Sequence, residues 1–149
     1  MIIPRIAAGV LVLAAAGFGW QMHELGSDNE TQQIVLQFQA GTTPATTYTE
    51  LLDRAVDLID GNPNYFVTIE GHTGSRGSDV GNIALSERRA RIVMEDLIRN
   101  GVEDERIAIV AHGESQPFER PEGISDTQYQ RMLGRVVLII HHHEMEVTQ

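Results

Sequence analysis

The chain has 149 residues, of which 42% are hydrophobic, and this is enough for one folded domain with a buried core and a short extension. It carries 11 Lys+Arg against 21 Asp+Glu, and the formal net charge of -10 argues against nucleic acid as a partner because polyanions are repelled. Cysteine is absent, which excludes disulfides, thiolate metal sites, thiol nucleophiles and lipid attachment through cysteine.

Residues 1–20 form an apolar segment that is typical of membrane-directed sequences. Arg5 precedes an uncharged run from Ile6 to Trp20, and as a helix this run would reach about 22 Å, short of the roughly 30 Å hydrocarbon core. Ala14 and Ala16 form a small-x-small cleavage pattern. We interpret the segment as a cleaved signal peptide or as a retained membrane anchor, with a buried core helix as the less favoured alternative. The flanking charges place the rest of the chain outside the cytoplasm.

After a polar linker over 21–33, alternating strands and helices are predicted over 34–143, followed by a tail over 144–149. The predicted elements are a strand from Ile34 to about Ala40, a helix that starts at a Thr47/Glu50 capping box and ends at Gly61, a strand over Tyr65 to Glu70, a helix from about Asn82 to Asn100, and apolar strands over Ile107 to Ala111 and Val136 to Ile140. The two apolar runs are expected to be central strands that are covered on both faces.

The segment from His112 to Leu133 is predicted to be a loop with at most a short helix near Gln128. The order of elements predicts an α+β fold, a two-layer sandwich in which two helices pack on a mixed four-stranded sheet.

The stretch from Gly71 to Ala90, GHTGSRGSDVGNIALSERRA, follows a strand and leads into a helix. It fits the pattern GHTD-x2-G-x4-N-x2-LS-x2-RA, in which x is any residue, except that Gly74 stands in place of the Asp of GHTD. The GESQP segment at 113–117 and Arg135-Val136 fit two further parts of the pattern. Over roughly Ile34 to Ile140 the chain resembles the OmpA-like C-terminal domain, the peptidoglycan-associating module of outer-membrane proteins, Pal-type lipoproteins and MotB-type stators.

The resemblance implies a binding site for the diaminopimelate of peptidoglycan peptide stems, with the acid of GHTD on the ammonium and the arginine of Arg-Ala on a carboxylate. A guanidinium binds a carboxylate through two parallel hydrogen bonds. Arg89 keeps this half of the site, whereas Gly74 offers only backbone groups. Loss of one partner of a buried charged contact costs about 2 to 5 kcal/mol, so weakened or altered recognition of the stem is expected.

The candidate ligand-binding residues are Arg89, Thr73, Gly74, Ser75, Asn82, Asp79 and Arg135. Asp79 or Glu70 could supply the missing carboxylate; otherwise the Gly74 backbone and two neighbouring hydroxyls could bind neutral amides. Leu133-Gly134 replaces the family's Asn-Arg, so part of the polar rim is expected to be lost. Gly74 could alternatively be a turn glycine with positive φ.

The histidines of the chain give weaker indications of a metal site or of catalysis. Adjacent strand residues point to opposite faces, so at most two of His141, His142 and His143 can converge on a metal ion. His72 and His112 could pair as acid and base, but no nucleophile and base stand at a spacing that implies catalysis. We therefore predict a protein without enzymatic activity, cofactor or metal site.

These observations predict a noncatalytic exported module in the envelope of a Gram-negative bacterium, periplasmic and with or without a membrane anchor, that binds peptidoglycan peptide stems. The alternative is a membrane-associated module for protein-protein interaction or assembly that no longer binds peptidoglycan. A retained inner-membrane anchor would favour the alternative, because the linker over 21–33 reaches at most about 45 Å.

Overall fold

The computed structural model of the chain describes residues 11–13 and 31–142. The predicted signal peptide or anchor, apart from residues 11–13, lies outside the described residues, as do most of the predicted linker, His143 and the C-terminal tail. Within the described residues, no helix combines the length and the apolar character needed to cross a bilayer.

One layer of the fold is a mixed β-sheet. Its strands are β1 (Leu11–Leu13), β2 (Gln32–Gln37), β3 (Tyr65–His72), β4 (Ile107–Gly113) and β5 (Arg135–His142), in the order β1-β2-β5-β3-β4. β5 runs antiparallel to both of its neighbours, whereas β3 and β4 are parallel to each other, as are β1 and β2. β2 to β5 are the four strands that the sequence predicts, and the three-residue β1 extends the sheet at its β2 edge.

The second layer consists of the helices α1 (Tyr48–Asp60) and α2 (Asp79–Arg99). A short 3-10 helix, Asp104–Arg106, precedes β4. A third helix, α3 (Asp126–Leu133), contains Gln128, where the sequence allows a short helix within the predicted loop. The predicted α+β architecture, with two helices on a mixed sheet, is confirmed.

The hydrophobic core lies between the sheet and the two long helices. Strand register aligns Ile34, Leu138, Ile69 and Ile109 in one row across β2, β5, β3 and β4. Because alternate strand residues point to opposite faces, this row shares the helix-facing side of the sheet with the other core residues. Ile34, Leu138 and Ile69 are fully buried, and Ile109 is half-buried against them. The opposite face of β3 carries Glu70 and His72.

The two apolar strands differ in their position in the sheet. β5 lies between β2 and β3, as expected for a central strand, but β4 is an edge strand. Its residue Val110 is 39% exposed, so the prediction that β4 is covered on both faces is wrong. A run of apolar residues does not distinguish a strand that is covered on both faces from a strand that is covered on one face, because a short strand can carry apolar residues on its exposed face as well.

The helix starts also differ from the prediction. Thr47 precedes α1 with a helical backbone conformation, and its side chain makes no capping hydrogen bond, so the predicted Thr47/Glu50 capping box is wrong. α2 begins at Asp79 rather than near Asn82, because Ser78 caps it by accepting a hydrogen bond from the Gly81 amide.

Candidate ligand-binding site

A cleft of about 230 Å³ opens where the chain leaves β2 and β3, between α2 and α3. It is lined by Phe38 and Gln39 after β2, by Thr73, Gly74 and Arg76 after β3, by Asn82, Leu85 and Arg89 of α2, and by Thr127, Gln130, Arg131 and Gly134 at α3. The described lining includes three arginines and no acidic residue, in a chain whose net charge is -10. The charge of the lining is therefore opposite to that of the whole molecule.

Arg89 is the buried cation of this cleft, with only 5% of its surface exposed. Its Nε donates to the Gly41 carbonyl at 2.7 Å and its Nη1 donates to the His72 carbonyl at 3.1 Å. The guanidinium lies over the Phe38 ring, 5.4 Å from the ring centroid. Burial lowers the pKa of Arg89 below its ordinary value. These contacts fix the direction of the guanidinium.

The two carbonyls use two of the five N–H groups of the Arg89 guanidinium. In the part of the chain that the structure describes, no carboxylate forms an ion pair with Arg89. Three N–H groups are therefore left to bind a ligand in the cleft. Because an unpaired buried charge is costly, a carboxylate ligand would compensate for the desolvation of this side chain.

Thr73 is a second polar group of the cleft without a partner. The residue is 4% exposed, and no group in the described residues hydrogen-bonds its side-chain hydroxyl. A buried hydroxyl without a partner is unfavourable by about 1 to 3 kcal/mol, so native structures usually satisfy such groups. Thr73 and Arg89 thus both offer hydrogen bonds to whatever occupies the cleft.

The motif residues around Arg89 hold α2 close to β3. A Cβ on Gly71 would overlap the backbone carbonyl of Ser86, so glycine permits this approach. The Ser86 hydroxyl donates to the Ile83 carbonyl at 2.8 Å and accepts from the Gly113 amide at 3.0 Å, which ties α2 to the end of β4. This packing places Arg89 at the end of β3.

Gln130 occupies the space next to Gly74. A Cβ on Gly74 would overlap the side-chain oxygen of Gln130 and would lie 3.1 Å from its backbone oxygen. The Gln130 Oε1 accepts from the Ser75 amide at 2.9 Å, and its Nε2 donates to the Ser75 hydroxyl at 3.1 Å. A neutral carboxamide therefore lies where the family's acidic side chain would begin.

Gly134 lies beside the terminal nitrogens of the Arg89 guanidinium and has no side chain that would cover them. A Cβ at this position would lie 3.1 Å from Nη1 and 3.4 Å from Nη2 of Arg89. Its neighbour Leu133 is 3% exposed and is not part of the cleft lining. Of the pair that replaces the family's Asn-Arg, only Gly134 thus borders the cleft.

The structure brings together four of the predicted site residues, since Thr73, Gly74, Asn82 and Arg89 all line the cleft. Ser75 lies next to them through its hydrogen bonds with Gln130. The Asn82 amide group donates to the Glu114 carboxylate at 2.7 Å, so this side chain also braces the loop after β4.

Two of the predicted residues lie away from the cleft. Asp79 is exposed in the first turn of α2. Arg135 donates to the carbonyls of Leu133 and Gln116, and its guanidinium lies 5.0 Å from the centroid of the Phe118 ring. Neither residue is among those that line the cleft.

Sequence reasoning missed Phe38, Gln130 and the arginines Arg76 and Arg131 as parts of the cleft. Phe38 follows the first core strand, and its alternation with Leu36 indicates only burial. Gln130 lies on a helix 55 residues beyond Ser75, so only tertiary packing brings the two together. No local sequence signal marks either residue.

Glu70 also lies away from the cleft, beside two histidines. Its carboxylate oxygens are 3.7 Å from Nε2 of His72 and 3.5 Å from Nε2 of His112. The two imidazole rings stack with centroids 5.0 Å apart. Burial, with smaller contributions from the charges of Arg135 and His112, lowers the pKa of His72 to about 3, and its ring is neutral at physiological pH.

The histidines at the end of β5 are separated by the alternation of the strand. His141 Nε2 lies 3.3 Å from the Thr68 hydroxyl, whereas the His142 ring packs edge-on against Tyr65 with centroids 4.5 Å apart. His143, the third residue of the tract, lies outside the described residues.

The fold and the cleft define a two-layer α+β domain with a cleft that has a buried arginine at its centre. The profile of the OmpA family matches residues 29–131, more than half of the chain, so the chain belongs to the OmpA family. This confirms the resemblance that the motif residues indicated.

Curated relatives carry names that refer to the cell wall. The peptidoglycan-associated lipoprotein of Legionella pneumophila is 34% identical over 111 residues, which cover 69% of this chain and 63% of that protein. The peptidoglycan-binding protein ArfA of Mycobacterium tuberculosis is 40% identical over 77 residues, which cover 50% of this chain and 24% of that protein. The chain thus spans less than two thirds of the length of these relatives.

Solved structures share the fold. The peptidoglycan-associated lipoprotein from Burkholderia pseudomallei superposes with a TM-score of 0.61 at 24% identity, covering 72% of this chain and 89% of that one. The periplasmic domain of Helicobacter pylori MotB superposes with a TM-score of 0.61 at 17% identity, covering 83% of this chain and 80% of that one. At these identities the likeness concerns the fold alone.

Proposed function

We propose that this chain is a noncatalytic module of the bacterial cell envelope that associates with peptidoglycan by binding a carboxylate of the peptide stem at Arg89. Membership of the OmpA family and the names of the relatives support the association with peptidoglycan. The observation that carries the binding mode is the buried Arg89 guanidinium, which keeps three N–H groups for a ligand and has no ionic partner in the described residues.

The surroundings of Arg89 favour a carboxylate over other ligand groups. A guanidinium presents its N–H groups as a planar fork that matches two carboxylate oxygens. The exposed residues Arg131 and Arg76 also line the cleft and add positive charge. Arg76 lies 3.5 Å from the Asp126 carboxylate. The Thr73 hydroxyl offers a further hydrogen bond.

Recognition of an ammonium group is the part that we propose to be weakened or altered. Gln130 carries an oxygen next to Gly74, and this oxygen can accept a hydrogen bond but has no charge with which to compensate an ammonium. Such a cleft favours a carboxylate together with neutral amide groups. Carboxylate and amide groups also occur together in a peptide stem. The proposed change therefore alters which groups of the stem are bound, and peptide stems remain the class of ligand.

We further propose that residues 1–20 direct the chain to the envelope as a signal peptide or anchor, that 21–33 serve as a linker, that 34–143 form the binding domain and that 144–149 form a tail. The names of relatives such as outer membrane porin F of Pseudomonas aeruginosa support an envelope location. The names of the relatives refer to association with peptidoglycan or to its binding and not to a reaction, which supports a binding role.

Sedimentation with purified sacculi that contain diaminopimelate tests the proposal. The full chain in mild detergent is expected to pellet with sacculi and to stay in solution without them. Arg89→Ala is expected to remain in the supernatant, whereas Arg88→Ala, which changes the exposed neighbouring arginine on the same helix, is expected to pellet like the unchanged chain.

Failure of the unchanged chain to pellet would overturn the association with the cell wall and would favour the alternative of a protein-protein interaction module. Equal pelleting of Arg89→Ala and the unchanged chain would show that this cleft is not the binding site.

A further inference from the structure

The sheet face that points away from α1 and α2 holds a cluster of three potential metal ligands. Glu70 and His72 stand two residues apart on β3, so their side chains point to the same face, and His112 comes from the neighbouring strand β4. One ligand atom from each of the three residues lies within 4.8 Å of the other two. We propose that Glu70, His72 and His112 form a binding site for a divalent transition-metal ion of the Zn²⁺ class.

The distances are close to those of a tetrahedral ion site. With bonds of about 2.0 to 2.1 Å to nitrogen and oxygen, the ligand atoms of a tetrahedral Zn²⁺ ion lie roughly 3.3 Å apart. Glu70 Oε2 is 3.7 Å from His72 Nε2 and Glu70 Oε1 is 3.5 Å from His112 Nε2, so each nitrogen faces a different oxygen of the same carboxylate. The rings are stacked, so small side-chain rotations are needed to direct both nitrogens to one point.

A β-bulge places the third ligand. β3 and β4 pair in register up to Gly71 and Ala111, but His72 then pairs with Gly113, so His112 is the extra residue of the bulge. Gly113 permits this path with a left-handed φ of 55°. The bulge places the His112 imidazole against that of His72, with ring centroids 5.0 Å apart.

The buried imidazole nitrogens of this cluster have no hydrogen-bond partner within the described residues. Both ring nitrogens of His72 and Nε2 of His112 are buried and make no hydrogen bond there. His72 is 2% exposed, so water cannot readily satisfy it. A metal ion bound by both Nε2 atoms would use two of these three nitrogens, and Glu70 would supply negative charge.

The ligand set and the exposure also fit an ion. Two imidazoles and one carboxylate suit Zn²⁺, and also Co²⁺, Ni²⁺ and Cu²⁺. The Glu70 side chain is 24% exposed, which leaves access for a water as fourth ligand. The nearby cation Arg135 opposes the ion, but its guanidinium is held by the carbonyls of Leu133 and Gln116.

A bound ion would stabilise the end of β3 behind the cleft. The His72 carbonyl accepts a hydrogen bond from Arg89, and the Thr73 amide donates to the Gly113 carbonyl at 2.8 Å. An ion held by His72 and His112 would thus tie together the two strand ends from which the cleft loops leave.

Equilibrium dialysis of the untagged full chain against Zn²⁺, after treatment with a chelator, tests the site. The expected result is one Zn²⁺ per chain and a higher thermal midpoint in Zn²⁺ than in chelator. His112→Phe keeps a ring against His72 and is expected to lower the affinity by at least about a hundredfold. Glu70→Gln preserves the shape of the side chain and is expected to have the same effect, which covers the case that one variant does not fold.

The matched control changes the other histidines. A chain with His141, His142 and His143 all replaced by Gln is expected to keep the site, and Co²⁺ bound to it is expected to give visible absorption bands that His112→Phe abolishes. The proposal is overturned by absence of Zn²⁺ binding, or by binding that the triple replacement removes and His112→Phe leaves unchanged.

Discussion

At the scale of single residues, an acid placed at Gly74 would meet the Gln130 side chain. The φ of Gly74 is not in the left-handed region, which in the described residues is occupied by other glycines. The interpretation of Gly74 as a turn glycine with positive φ is therefore wrong, and its φ does not require glycine. The Gln130 carboxamide fills the space where the acid would begin, so changing Gln130 as well gives an acid at position 74 room to face the cleft.

The double variant Gly74→Asp/Gln130→Ala is expected to restore recognition of an ammonium group. The unchanged chain should bind a diaminopimelate stem peptide and its side-chain N-acetylated form with similar affinity, because none of the described residues that line the cleft is acidic. The double variant should bind the peptide with the free ammonium about 10- to 100-fold more tightly than the acetylated peptide, which corresponds to the free energy of one charged hydrogen bond. Isothermal titration with the two peptides measures this preference.

The control for this experiment is Gln130→Ala alone, which opens the same space without adding a charge. If it showed the same preference for the free ammonium, the effect would come from space rather than from the new carboxylate, and the account of Gly74 would fail.

At the scale of secondary-structure elements, the contact between β3 and α2 depends on Gly71. A Cβ at this position overlaps the Ser86 backbone, which cannot move without displacing the helix. Gly71→Ala is expected to lower the free energy of unfolding by about 3 kcal/mol. Gly74→Ala serves as the comparison and should cost about 1 kcal/mol, because the Gln130 side-chain amide can rotate away and the Gln130 backbone oxygen, 3.1 Å from the new Cβ, has to shift only slightly. Urea unfolding followed by circular dichroism measures both, and equal losses would contradict this interpretation.

The short helix α3 depends on its capping box. The Ser125 hydroxyl accepts from the Gln128 amide at 3.2 Å, and the Gln128 side chain accepts from the Ser125 amide at 2.9 Å. Ser125→Ala is expected to destabilise α3 by about 1 kcal/mol, which should speed hydrogen exchange of the Gln130 amide correspondingly. Thr47→Ala, at a cap position without a side-chain bond, should change exchange in α1 by less than a factor of about 2. Equal effects would show that the capping box does not stabilise α3.

At the scale of the whole molecule, the sequence predicted the architecture because core periodicity and the glycine-rich loop are local signals. The strands, both long helices and the mixed sheet follow from these patterns. Periodicity does not report sheet order, so the edge position of β4 was missed. The motif likewise predicted Arg89 and its neighbours, whereas Phe38 and Gln130 enter the cleft only through packing between segments that are far apart in the chain.

Binding of a stem carboxylate by Arg89 is tested most directly by a thermodynamic cycle that removes the arginine side chain and the ligand carboxylate, separately and together. Stem peptides with the diaminopimelate side-chain carboxylate free or amidated are titrated into the unchanged chain and into Arg89→Ala. Amidation is expected to weaken binding to the unchanged chain by about 10- to 100-fold, as for loss of a charged hydrogen bond, and to have little effect on Arg89→Ala. If amidation weakens both chains equally, or neither, Arg89 does not bind this carboxylate.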